Sequence, residues 1–146
     1  MKRMTLITTI MASLMMLASC EMEERVITPN SLPQAAKQLI EAHFGDLTIA
    51  QVEKDYDDLG YDYNVYFTNG SKIEFSRNGE WKDIDCRGMK VPDALVPSKI
   101  LSYVGTTYPT NFIAQIAVDG RYYDVDLDND LDLVFNKSGD FVRIDY

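Results

Sequence analysis

The residues with the best claim to chemistry are the aspartates of Asp124-Val125-Asp126-Leu127-Asp128-Asn129-Asp130-Leu131-Asp132. Hard carboxylate oxygens at short spacing are what Ca²⁺ takes. An EF-hand loop starting at Asp124 needs Gly at its sixth position and Glu at its twelfth, where Asn129 and Phe135 stand. On a strand, alternate residues share a face about 6–7 Å apart, too wide for Asp124, Asp126 and Asp128 to share one ion. No metal site and no cofactor are therefore expected, with Asp124, Asp126, Asp128 and Asp130 as weak candidates only. Asp55, Asp57 and Asp58 form a second acidic group, but nothing singles out a glycosidase-like pair. His43 is the one His, so any site needing two imidazoles is excluded. Cys86 follows Asp85, whose charge disfavours a thiolate. There is no phosphate-binding loop and no Ser/His/Asp spacing. The chain is expected not to be an enzyme.

Aromatic side chains on an exposed sheet anchor partners. Tyr66, Trp81 and Tyr122, with Glu74, are the candidates for partner binding. Trp81 alternates with Asp83 and Asp85, which puts it on their face.

The 146 residues include 14 Lys+Arg against 23 Asp+Glu, a net charge of −9. That balance cannot hold a nucleic-acid backbone. A hydrophobic content of 46% excludes a disordered chain. Met1–Cys20 begins with Lys2 and Arg3, continues uncharged, and ends in Leu17-Ala18-Ser19-Cys20. It is too short and wrongly flanked for a membrane span. The ending resembles a bacterial lipobox, which implies a signal peptide over 1–19 and lipid on Cys20. Residues 20–29 then form an acidic tether with Glu21, Glu23 and Glu24. The expected address is the cell envelope, lipid-anchored to the outer membrane, facing either the periplasm or the outside. With Cys20 consumed, no disulfide is expected.

The remainder repeats itself. Ile49-Ala50-Gln51-Val52 returns as Ile113-Ala114-Gln115-Ile116. Phe75 to Asp85, with Gly79, Trp81 and Ile84, returns as Phe135 to Asp145, with Gly139, Phe141 and Ile144. Four residues are lost between these pairs, which points to a longer hairpin loop at Lys54–Gly60. The copies are 30–88 and 89–146. Each opens with a helix, Leu32–Phe44 and Val96–Tyr108, on apolar residues at helical spacing. Pro33 suits the first turn and Ser31 is the expected cap. Two-residue alternation then gives four strands per copy, joined by Asn69-Gly70, Asn78-Gly79, Asp119-Gly120 and Ser138-Gly139. Tyr63, Val65, Phe67, Ile73 and Phe75, with Val125, Leu127, Leu133 and Phe135, form the face expected beneath the helices. The fold class is α+β: two tandem α-β4 repeats, an antiparallel sheet with helices on one face, in two layers.

A lipoprotein signal followed by two such copies, each closing on Phe75…Gly79…Trp81…Ile84-Asp85 or Phe135…Gly139…Phe141…Ile144-Asp145, resembles the PepSY-like, β-lactamase-inhibitor-like periplasmic proteins. The resemblance covers nearly the whole chain after residue 19. It implies one curved sheet with helices on its convex side and a concave face free for binding. The inhibitor likeness is a likeness of fold and carries no function by itself. Together these readings favour a non-enzymatic binding or inhibitory module for an envelope protein or peptide, acting through the open sheet face. The chain is expected to be monomeric, to touch the membrane only through its lipid, and to bind no nucleic acid. The alternative is a sensor of a small ligand or Ca²⁺ using the acidic loops.

Overall fold

A computed structural model describes residues 25–145. The signal segment, Cys20 and residues 20–24 of the tether lie outside them. Nine strands form one antiparallel sheet in chain order: β1 (Arg25–Ile27), β2 (Ile49–Asp57), β3 (Gly60–Phe67), β4 (Lys72–Ser76), β5 (Trp81–Asp85), β6 (Ile113–Asp119), β7 (Tyr122–Leu127), β8 (Asp132–Asn136) and β9 (Phe141–Asp145). Helix α1 (Gln34–Phe44) precedes β2, and α2 (Ser98–Thr107) precedes β6. The fold is α+β and mostly antiparallel sheet.

One row of side chains shows why the sheet closes in this register. Ile27, Val52, Val65, Ile73, Ile84, Ile116, Val125, Leu133 and Ile144 stand opposite one another in turn across all nine strands. Every member is aliphatic, and a slip of one residue would turn it to the other side. The interior of the row joins Ala36, Ile40 and Phe44 of α1 and Ile100 and Val104 of α2 in one buried cluster. Phe44 stacks on Phe67 with ring centres 5.8 Å apart, and Tyr103 of α2 meets Phe135 edge-on at 5.4 Å. This side is the core face; the other is the outer face.

The helices begin later than helical spacing suggests. Pro33 and Pro97 occupy the cap positions without a side-chain cap. Ser31 instead ends a short 3-10 turn, its hydroxyl 3.1 Å from that of Thr28. Arg25–Ile27, within the span assigned to the tether, forms an edge strand. The four extra residues of the first half do not make a longer loop. They make β2 and β3 two residues longer each than β6 and β7, and Asp58-Leu59 is still a two-residue turn. Cross-strand packing explains the extension, because Tyr56 stands opposite Tyr61 and the Lys54 ammonium lies 3.5 Å from the Tyr61 ring centre.

The register breaks at matching places. β2 has a bulge between Ile49 and Gln51, and β6 between Ile113 and Gln115. The β4–β5 pair shifts at Phe75, and the β8–β9 pair shifts at Phe135. Gly79 has φ +85°, and a Cβ there would sit 2.9 Å from Pro33 Cβ. Gly139 has φ +81°, and a Cβ there would sit 2.9 Å from Lys99 Cβ. Each hairpin tip therefore touches the start of a helix at a point where only hydrogen fits.

Candidate functional site

The outer face carries two polar rows. The first runs Val26, Glu53, Asn64, Glu74, Asp83, Ala117, Asp124, Val134, Arg143. The second runs Gln51, Tyr66, Lys72, Asp85, Gln115, Asp126, Asp132, Asp145. Their charges are unevenly balanced along the sheet. Near β3–β5, Lys82 bonds Asp62 and lies 2.9 Å from Glu74, while Lys72 approaches Glu74 at 3.9 Å. Partial burial works against the Lys82 charge, but its bonds to Asp62 and Glu74 outweigh that and raise its pKa. Glu74 is thus already paired.

Near β7–β9 the acids outnumber the cations. Asp126, Asp132 and Asp145 stand directly opposite one another on three adjacent strands. With Asp124 and the buried Val134 they line an open recess of about 390 Å³. Arg143 is its one ion-paired cation among the described residues, bonded to Asp145 at 3.1 Å. Burial, then the charge of Asp132, pushes the Asp126 carboxyl up to about 6. Asp124 is raised by burial and by Asp119. Asp83 is raised by burial, although Gln115 donates to it at 2.9 Å.

The Asp126 shift has a thermodynamic sign. The folded state holds this proton more tightly than the unfolded state, whose value is near 3.8. Stability is therefore lost as pH rises through that window and regained as pH falls. Solvent screens a half-open group, so the penalty at neutral pH is about 1 kcal/mol. Asp126→Asn is expected to raise the melting temperature at pH 7.5 and to match wild type at pH 4. Melting curves across that range check it; an equal effect at both pH values would remove the assigned cause.

The residues singled out in the sequence separate into different environments. Tyr122 lies on the outer face and is 42% exposed. Tyr66 is also on that face, half-buried, with the Lys72 ammonium 5.7 Å from its ring centre. Four strand spacings, about 19 Å, separate β3 from β7, so these tyrosines do not form one patch. Trp81 is elsewhere. The register shift at Phe75 puts Trp81 opposite Phe75 on the core face, packed against the core cluster. Strict alternation misplaces it because Lys82 and Asp83 both turn outward at the bulge.

The four weak metal candidates also diverge. Asp124 and Asp126 face the recess. Asp128 accepts hydrogen bonds from the Phe112 N–H and the Asn111 amide, each at 3.0 Å, which lower its pKa. Asp130 occupies a turn at φ +61°. Among the described residues no three His, Cys, Asp or Glu side chains are grouped to hold a metal ion. Cys86 is buried, and burial followed by Asp85 pushes its thiol up to about 11. No described helix is long and apolar enough to cross a membrane. Alternation along β7 and β8 puts Asp124, Asp126 and Asp132 on the outer face, but only the β8–β9 register brings Asp145 beside Asp132. The short β8–β9 hairpin was the available signal, and its bulge concealed the pairing.

The family described as "Putative beta-lactamase-inhibitor-like, PepSY-like" matches residues 19–62 and 61–143. Solved structures from Bacteroides are similar to this chain. One from Bacteroides thetaiotaomicron, described as a "putative calcium-regulated periplasmic protein", shares 36% identity and a TM-score of 0.81, covering 84% of this chain and 97% of its own. One from Bacteroides vulgatus, described as a "putative periplasmic protein", shares 35% identity and a TM-score of 0.81, covering 85% and 98%. Another from Bacteroides vulgatus, described as of unknown function, shares 28% identity and a TM-score of 0.81, covering 85% and 100%. No curated protein matches the chain.

Proposed function

The chain belongs to the PepSY-like, β-lactamase-inhibitor-like family, and from that premise we propose that it is a non-enzymatic binding module of the cell envelope. Its partner is a basic protein or peptide received on the outer sheet face. In this reading the molecule is two tandem α-β4 halves with both helices on the core face, held to the outer membrane by lipid on Cys20. The periplasmic descriptions of its structural relatives support the compartment. The observation that carries the reading is the unbalanced row Asp126, Asp132 and Asp145, with exposed Tyr122 four residues away along the same face of β7. A field of one sign steers an oppositely charged partner, and an exposed aromatic anchors it.

Capture from a detergent-solubilised envelope extract tests this. Immobilised residues 21–146 are expected to retain an envelope protein that Tyr122→Ala/Asp126→Asn/Asp145→Asn releases. Equal retention by the folded triple variant would remove the outer face as the site. A second reading is a Ca²⁺ response, favoured by the description of one relative as calcium-regulated, with the acidic row as the place it would act although its carboxylates are not gathered around one point. Millimolar Ca²⁺ raises the melting temperature of wild type but not of the triple variant if that reading holds. An unchanged melting temperature ends it.

A further inference from the structure

We propose that the free edge of β9 is the two-fold interface of a homodimer, in which Arg143-Ile144-Asp145 pairs antiparallel with the same residues of a second copy. This goes beyond the outer-face reading, because the contacts are backbone ladder bonds at the end of the sheet. It also replaces the monomer expected from the sequence. The chain treats the two edges of its sheet differently. β1 lies against β2 as β5 lies against β6: Ile27 stands opposite Val52 where Ile84 stands opposite Ile116. A head-to-tail array of copies would need β9, the counterpart of β5, to dock on β2 of the next copy. β1 already holds that edge. Among the described residues no strand lies beyond β9. The closed arrangement left to this edge is β9 against β9.

Backbone direction and burial agree with this. The Cys86 N–H donates to the Ala114 carbonyl across the β5–β6 seam at 3.0 Å, so Ile84, two residues earlier, also directs its backbone groups at β6. Ile144 holds the matching place in β9 and directs its N–H and C=O at the free edge. Two copies of Ile144 related by a two-fold axis therefore exchange both bonds. Ile84 is fully buried beneath β6, whereas Ile144 is only half-buried. Phe141 and Val142 beside it are 37% and 44% exposed. A second β9 carries the aliphatic row on through both copies and covers part of this strip.

Charge then selects the register. Pairing centred on Ile144 sets each Arg143 opposite the second copy's Asp145. Arg143 already bonds Asp145 of its own strand at 3.1 Å, and that bridge is kept. Each guanidinium then lies between two carboxylates, as Lys82 lies between Asp62 and Glu74. The row Asp126, Asp132, Asp145 ends on the second copy's Arg143, so each copy supplies the cation that the other's acidic row lacks. Pairing centred on Arg143 would set two cations opposite each other, and pairing centred on Asp145 two carboxylates. The strand is thus self-complementary in one register.

The test is sedimentation of residues 21–146 from micromolar to millimolar concentration. A monomer–dimer equilibrium is expected, with amide hydrogen exchange in β9 slowing as the dimer fills. Arg143→Asp and Asp145→Arg each set like charges opposite one another across the two-fold axis and should weaken dimerisation about tenfold. Mixed in equal amounts, these two variants should form a heterodimer as tight as the wild-type dimer, because every facing pair is then of opposite charge. Tyr122→Ala/Asp126→Asn should dimerise as wild type does, which separates this edge from the outer-face site. A wild-type chain that stays monomeric up to millimolar concentration overturns the proposal, as does undiminished dimerisation of both charge variants. Protection of β9 in a monomeric chain only when a peptide of residues 112–119 is added would overturn it in favour of a foreign strand.

Discussion

Gly79→Ala is expected to cost about 3 kcal/mol of stability, from strain and overpacking together. Two causes coincide at this residue. Its φ of +85° disfavours any side chain, and its Cβ would meet Pro33 Cβ at 2.9 Å, the Ala36 backbone nitrogen at 3.0 Å and Ala35 Cβ at 3.2 Å. A proline ring and helix backbone cannot swing aside as a long side chain can. Gly70 provides the comparison, because its φ is +90° but its only near neighbour is Arg87 Cγ at 3.6 Å. Gly70→Ala should therefore cost about 1 kcal/mol, from backbone strain alone. Urea denaturation of both variants measures the difference. Equal losses would mean that contact between the β4–β5 hairpin and α1 does not hold the first half together.

Trp81→Ala is the second large effect, and it is expected to act on folding rather than on binding. Trp81 stands opposite Phe75 and packs against the core cluster. Truncation removes most of an indole from that contact and costs about 3 kcal/mol. The same place in the second half is held by Phe141, whose ring stacks on Tyr103 at 4.8 Å. Trp81→Phe should accordingly keep most of the stability, within about 1.5 kcal/mol of wild type. Denaturation of both variants, with capture measured on the folded fraction, checks the assignment. Lost capture by a Trp81→Ala protein of undiminished stability would return Trp81 to the binding surface.

These two residues show what the sequence made legible. Alternation locates eight strands, because Val65, Ile73, Val125 and Leu133 must all reach one core face, and helical spacing of apolar residues locates both helices. The strand β1 was missed, since three residues are too few to show a period. Trp81 was misplaced for a sharper reason. Alternation holds only while the ladder is regular, and one extra residue at a bulge reverses everything before it. The acidic recess was half legible. Asp124 and Asp126 announce themselves along one strand, but Asp132 and Asp145 join them only through cross-strand pairing. Side-chain bonds are less visible still: nothing in the sequence indicates that Lys82 reaches Asp62 and Glu74 on neighbouring strands.

The strand order also has a kinetic consequence. Most strand pairs in this sheet close a short turn, and only β1–β2 and β5–β6 must span a helix. Closing a short loop costs little entropy and happens early. Every pairing of β1 through β5 is complete by residue 85. A chain delivered N-terminus first can thus assemble its first half before β6 is present. The β5–β6 seam, three residue pairs long, then joins the second half to an existing template. Until it closes, β5 is itself an open edge, and the arrival of β6 withdraws it from competing strands.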